Sequence, residues 1–185
     1  DASSSSDVYG GSSWAGGLVG YFNTGTLSNA HATGNLRAPS GWLGGLIGNA
    51  SSVTISNVYT TGSVTGTTAG GSNYVGGLIG QATSTPVDNA YATGAVSGTG
   101  YVGGLIGRTN RDVQNTRASG TVTATGNYIG GLIGRFDEGY QVTDSSASGS
   151  SVTVSGASYV GGLIGLVSDA SARLYGVYSD YGVAG

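Results

Sequence analysis

A seven-residue block recurs six times along the chain: WAGGLVG from Trp14, WLGGLIG from Trp42, YVGGLIG from Tyr74, Tyr101 and Tyr159, and YIGGLIG from Tyr128. A single copy would look like a loop built to cradle a phosphate, but six copies point to a repeated structural unit. The starts lie 28, 32, 27, 27 and 31 residues apart, a period with loops of variable length. One unit of that size cannot bury its own apolar face, so the units must stack on a common core.

Each block is followed by a second half-motif: LSNAHATG from Leu27, ISNVYTTG from Ile55, VDNAYATG from Val87 and VQNTRASG from Val113. The series decays through VTDSSASG from Val142 to LYGVYSDYG from Leu174. Short runs of Val, Ile, Tyr and Thr separated by Gly, Ser, Asn and Asp are the pattern of strands and turns. Helices are disfavoured by the 38 glycines, each costing about 1 kcal/mol inside a helix, so little or no α-helix is expected. The expected fold is an all-β β-solenoid of about six stacked coils, 27–32 residues each, starting near residues 14, 42, 74, 101, 128 and 159. Residues 1–13 would form a partial N-terminal coil, in which DVYGG, residues 7–11, looks like a fragment of the second half-motif, and 14–185 a single repeat domain. At ~4.8 Å per coil the stack would be a rod on the order of 29 Å long.

In this reading the repeat core is the leucine column Leu18, Leu46, Leu78, Leu105, Leu132 and Leu163 with the glycine column Gly17, Gly45, Gly77, Gly104, Gly131 and Gly162. The glycines are expected where a bend or a closely approaching backbone leaves no room for a side chain. YVGGLIG does not alternate cleanly, so both of its faces should be covered.

The aromatic-x-G-G-L-I-G block resembles the GLUG repeat, named for its Gly-Leu-apolar-Gly core and found in large secreted and surface proteins of bacteria. The resemblance extends from residue 14 to about 182. It implies an exported bacterial protein in which these coils are accessory, non-catalytic segments, as beside the protease domain of surface metallopeptidases that cleave immunoglobulin A. An HExxH zinc-protease motif is missing from this sequence, so that activity does not carry over.

Composition closes other routes. The six basic residues are all arginine and the net charge is −3, which gives no electrostatic footprint for nucleic acid or an anionic membrane. The lack of methionine, even at position 1, is expected of a processed form or an excised piece, and a removed secretory signal would account for it. Without cysteine there are neither disulfides nor thiolate metal ligands. The longest apolar run, Tyr159 to Val167, is about half the ~20 residues of a membrane-spanning helix, so no span is expected.

The residues that could carry chemistry are few. GTGYVG, residues 98–103, matches a dinucleotide-binding fingerprint, but its last glycine belongs to the repeat and no helix can follow it. His31 is the only histidine, too little for a serine triad or a zinc site. Asp137 and Glu138 are adjacent acids in RFDEGY that read as a solvated loop in preference to a carboxylate pair or calcium site. No catalytic residue, cofactor or metal is expected, and the chain is read as a non-enzyme.

Three columns remain. Asn29, Asn57, Asn89 and Asn115, with Asp144, align as a structural ladder of the kind stacked amides form. Thr33, Thr61, Thr93, Ser119 and Ser148 make a hydroxyl row with a weak resemblance to an ice-binding face. Tyr59, Tyr91, Arg117 and Tyr178, joined by His31, form a candidate partner-binding strip, with plain side-by-side packing of aromatics as the alternative. Arg108, Arg111, Arg117 and Arg135 cluster in adjacent units, where pairing with Asp112, Asp137 or Glu138 is the expected use.

Neither end carries a helix or a charged segment to cap the stack. The functional expectation is therefore a non-catalytic extracellular structural rod. Its partners would be copies of itself, stacked head to tail into a surface or matrix filament, or flanking repeats of a longer adhesin. The alternative is a binding module whose outer Tyr, Thr and Arg columns grip glycan, host protein or ice.

Overall fold

The computed structural model of the protein describes residues 1–68, 73–149, 151–155 and 158–184. The final residue of the terminal repeat, Gly185, lies outside them. Among the described residues there is no helix, and the chain winds as a parallel β-solenoid of about six coils. Among the described residues the strands form two long sheets, one of thirteen strands and one of eleven.

The repeat register read from the sequence is the register of the structure. Trp14 pairs with Trp42, Trp42 with Tyr74, and the series continues through Tyr101 and Tyr128 to Tyr159. The second half-motifs superpose likewise, Leu27 on Ile55, Val87, Val113, Val142 and Leu174 in turn. In the first two full coils one 14-residue strand, Val19–Ala32 or Ile47–Thr60, carries both the end of the glycine block and the second half-motif. In the third coil that strand divides into Ile79–Thr83 and Val87–Ala92. The break falls at Ser84, which has φ 49°, and at Pro86, which has no N–H to give a ladder.

Each glycine of the block has its own spatial reason. A Cβ on Gly76 would fall on the carbonyl oxygen of Ile79, across the tight turn. A Cβ on Gly77 would fall on the carbonyl oxygen of Gly104, in the next coil, and one on Gly80 would lie 2.6 Å from the Gly48 oxygen. The column Gly17, Gly45, Gly77, Gly104 and Gly131 repeats the coil-to-coil approach at every level, while at Gly162 the atom nearest such a Cβ is the Ser179 hydroxyl, 2.8 Å away. Coils packed this closely keep their ladder bonds short: Leu78 N–H donates to Leu105 C=O at 2.9 Å, and Leu105 N–H to Leu132 C=O at 2.9 Å.

The leucine column runs through the core. Leu46, Leu78, Leu105 and Leu132 are fully buried, as are Ile47, Ile79, Ile106 and Ile133 beside them. Leu18 and Leu163 occupy the same place in the first and last coils and are half-buried. Burying each such side chain contributes roughly 1.5–3 kcal/mol. That offsets the roughly 0.5–1 kcal/mol of chain entropy that each ordered glycine costs. Where hydroxyls enter the core they are bonded: Thr60 Oγ1 donates to Gly77 C=O at 2.8 Å, and Thr116 Oγ1 to Ser145 Oγ at 2.9 Å.

One expectation fails at the N-terminus. DVYGG does not align with the second half-motif, because Val8 and Tyr9 pair with Leu36 and Arg37 in the following strand. The half-motif position is taken by Ala2–Ser4, which pairs with Ala30, His31 and Ala32. The polar segment ASS serves there because Ser3 points outward while Ala2 and Ser4 need only small side chains against the edge of the core. At the other end, Leu174, Tyr175, Tyr178 and Val183 are all exposed.

Candidate functional site

Two stacks of rings run along the solenoid. The longer joins Trp14, Trp42, Tyr74, Tyr101, Tyr128 and Tyr159, with neighbouring ring centroids 4.6–6.0 Å apart. It is flanked by a column in which Arg108 and Arg135 are register partners. The Arg135 guanidinium lies 5.4 Å from the Tyr128 ring and 6.0 Å from that of Tyr101. Two like charges one coil apart repel, and Asp137 resolves this by accepting from Arg108 Nε and Arg135 Nε, each at 2.6 Å.

Asp137 thus departs from the solvated loop expected of RFDEGY. It is buried, it accepts a third hydrogen bond from Ser168 Oγ at 2.5 Å, and its N–H donates to Thr109 C=O. Burial alone would push its carboxyl up, but the bonds from Ser168, Arg108 and Arg135 and the Arg108 charge outweigh it and hold the carboxyl below its ordinary value. Glu138 lies outside this cluster, bonded to Asn110 Nδ2 and paired with Arg111 Nη1 at 2.9 Å. Asp112 pairs with no arginine among the described residues and instead accepts from Gln141 N–H. The arginine cluster is thereby largely neutralised within the fold.

The shorter stack is the candidate partner-binding column. His31, Tyr59, Tyr91, Arg117, Ser146 and Tyr178 occupy successive levels of one column, in register. His31 stacks on Tyr59 at 4.7 Å with rings 1° from parallel, and Tyr59 on Tyr91 at 4.9 Å and 4°. The only histidine is therefore one ring of a stack. At the next level the ring stack ends, because the column continues with Arg117, whose Nη2 donates to Ser148 Oγ of the coil beyond at 3.1 Å. A groove of about 380 Å³ opens there, lined by Tyr91, Arg117, Asn89, Asn115, Thr93 and Ser119 together with Ala90 and Ala92. Tyr178, two coils further, is exposed and separate from it.

The asparagine column has a backbone cause that sequence reasoning missed. Asn29, Asn57, Asn89, Asn115 and Asp144 all have left-handed φ, between 47° and 55°. Asn and Asp tolerate that region better than other non-glycine residues. One amide-to-amide rung forms, Asn89 Nδ2 to Asn57 Oδ1 at 2.7 Å, while Asn115 Nδ2 donates to Asp88 Oδ1 at 2.7 Å. Thr33, Thr61, Thr93, Ser119 and Ser148 sit at the corner between the sheets, each N–H donating to a neighbouring coil. GTGYVG lies in the strand Val96–Gly103, and a further strand, Ile106–Thr109, follows it. No group of three or more metal-ligating side chains is found among the described residues. Nor is any helix there long and apolar enough to cross a membrane.

Residues 71–97 match the family model described as the GLUG motif. The chain carries a GLUG repeat. The matched stretch spans the third glycine block and its second half-motif, which the neighbouring coils repeat in register. The solenoid is similar in fold to the crystal structure of a Bacteroides ovatus protein described as a candidate immunoglobulin A1 protease, with a TM-score of 0.63 and 19% identity. The similarity covers 88% of this chain and 57% of that structure, so the chain corresponds to little more than half of that structure's length. No curated protein matches the sequence.

Proposed function

We propose that the chain is a non-catalytic structural rod of an exported bacterial protein, acting at the cell surface or in the extracellular matrix. The observation that carries this reading is the register. Like residues lie over one another through six levels, so the glycines, leucines and rings of the repeat serve coil-to-coil contact. Two further features support it. The only histidine is stacked on Tyr59, and Asp137 is held between Arg108 and Arg135, so neither presents a free acid–base pair. At both ends of the stack apolar and aromatic faces stand open, Tyr9 and Trp14 at one and Tyr159, Leu174 and Tyr178 at the other. Such edges recruit further coils, from the same polypeptide or from a second copy.

Electron microscopy of the purified chain tests the assembly: fibres one solenoid wide are expected, and monodisperse particles at high concentration would restrict the rod to a segment within a larger protein. Overnight incubation with immunoglobulin A1 tests the absence of catalysis. Release of immunoglobulin fragments would overturn the non-catalytic reading.

A further inference from the structure

We propose that the groove at the end of the short ring stack is a carbohydrate subsite that takes one pyranose ring bearing a carboxylate. The stack His31–Tyr59–Tyr91 ends at a ring face whose next level holds no ring. Tyr59 covers one face of Tyr91, and Tyr91 remains 42% exposed. A flat ligand resting on the open face would continue the column at the spacing the protein's own rings use. The apolar C–H face of a sugar suits such a surface, since an exposed tyrosine offers large contact area at little conformational cost.

The rim supplies the polar half of the recognition. Asn89 and Asn115 each use the amide nitrogen within the fold, toward Asn57 and Asp88, which leaves their carbonyl oxygens as acceptors for ring hydroxyls. Among the described residues the Thr93 and Ser119 hydroxyls take part in no hydrogen bond, so two groups that both donate and accept complete the rim. The left-handed backbone fixes both asparagines at this edge, with φ 47° and 51°. The site is therefore preorganised.

Charge selects the ligand class. Arg108, Arg111 and Arg135 are each paired with an acid. Arg117 forms no ion pair among the described residues, and its one hydrogen bond, from Nη2 to Ser148, leaves donors of the guanidinium fork available beside the groove. A guanidinium matches the planar, two-oxygen geometry of a carboxylate. The volume, about 380 Å³, falls at the small end of the roughly 300–1,000 Å³ typical of ligand sites and suits a single sugar residue of a longer acidic chain.

The test uses trigalacturonic acid, its neutral methyl ester, and the whole chain, with calorimetry and amide NMR as readouts. Trigalacturonate should bind with a Kd of about 1 mM or tighter and perturb the amides of Tyr91, Arg117 and Ser119. Arg117→Gln, an exposed change that preserves folding, should weaken the acid about tenfold and leave the ester unaffected, while Tyr91→Ala should weaken both about tenfold. Circular dichroism verifies the fold of each variant, and if Tyr91→Ala does not fold, the acid–ester comparison with Arg117→Gln decides alone. No binding at 10-fold above that Kd, shifts elsewhere on the rod, or equal affinity for acid and ester would overturn the proposal. None of these outcomes bears on whether the rod assembles or cleaves immunoglobulin, so the two readings fail separately.

Discussion

Placing a methyl group at Gly77 tests the close approach on which the solenoid depends. A Cβ there would fall on the Gly104 carbonyl oxygen, with the Ala92 Cβ only 3.0 Å away and the Gly104 carbonyl carbon at 3.3 Å. Relief requires the third and fourth coils to part locally, and the ladder bonds nearest the contact are Leu78 N–H and Ile79 N–H to Leu105 C=O, at 2.9 and 3.1 Å. Overpacking costs about 1–3 kcal/mol, and weakening two hydrogen bonds adds about 0.5–1.5 kcal/mol each. Loss of glycine's freedom in the unfolded chain returns about 0.4–1 kcal/mol. The net expectation is a destabilisation of roughly 1–5.5 kcal/mol, which for a chain of this size lowers Tm by about 2–20 °C. Gly77→Val, with two more branches against Ala92, should not fold. Two alanine variants calibrate the measurement. At Gly11 a Cβ meets nothing within 4 Å, so Gly11→Ala should melt at or slightly above the parent, and at Gly162 the nearest atom is the rotatable Ser179 hydroxyl, so the cost should be intermediate. Thermal and urea unfolding followed by circular dichroism give the three values side by side. If Gly77→Ala melts within about 2 °C of Gly11→Ala, the crowding account of the glycine column is wrong.

Asn89→Gly should leave Tm within a few degrees of the parent, whereas Asn89→Ala should lower it by an amount corresponding to about 1–2 kcal/mol, because alanine at φ 47° is strained. Equal melting of the two would mean that the amide bond to Asn57, and not the backbone, sets the column. Asp137→Asn leaves Arg108 and Arg135 facing each other, at an expected cost of roughly 2–3 kcal/mol; this lies below the 3–5 of a fully buried pair because the arginine side chains are 34% and 27% exposed. Since the Asp137 carboxyl titrates below its ordinary value, its contribution is present above about pH 4 and is lost as pH falls through the folded-state value. The parent should therefore lose its advantage over Asp137→Asn in acid; a gap in Tm unchanged from pH 7 to pH 2 would contradict this.

The architecture was legible because identity between repeats is itself register information. Trp14, Trp42 and Tyr74 occupy equivalent places in their motifs, and parallel stacking converts that equivalence directly into pairing. What eluded sequence reasoning was contact between unlike residues. The burial of Asp137 follows from Arg108 and Arg135 recurring after GGLIG in adjacent units, a like-charge pair that demands a counterion, and that recurrence was the available signal. The left-handed asparagines were also marked, by a residue poorly suited to strands recurring inside one. Tyr181 has no counterpart in other coils. It packs against Gly131 and Gly149 and donates its hydroxyl to Gly120 C=O, and burial together with the Asp180 charge pushes its phenol up to about 12. The groove was invisible because it lies where an arginine follows the rings of the column and bonds to Ser148 a coil away, a contact between unlike residues.

The glycine-to-carbonyl approach that joins Gly45 to Gly77 also joins Gly77 to Gly104 and Gly104 to Gly131. Along this glycine column each junction has the same form, and deleting or duplicating one whole winding rebuilds the same backbone seam on either side of the cut, whereas the Arg108–Asp137–Arg135 cluster belongs to its own coils. Length in such a protein changes by whole windings, so unequal recombination can lengthen or shorten its reach without redesigning the glycine seam.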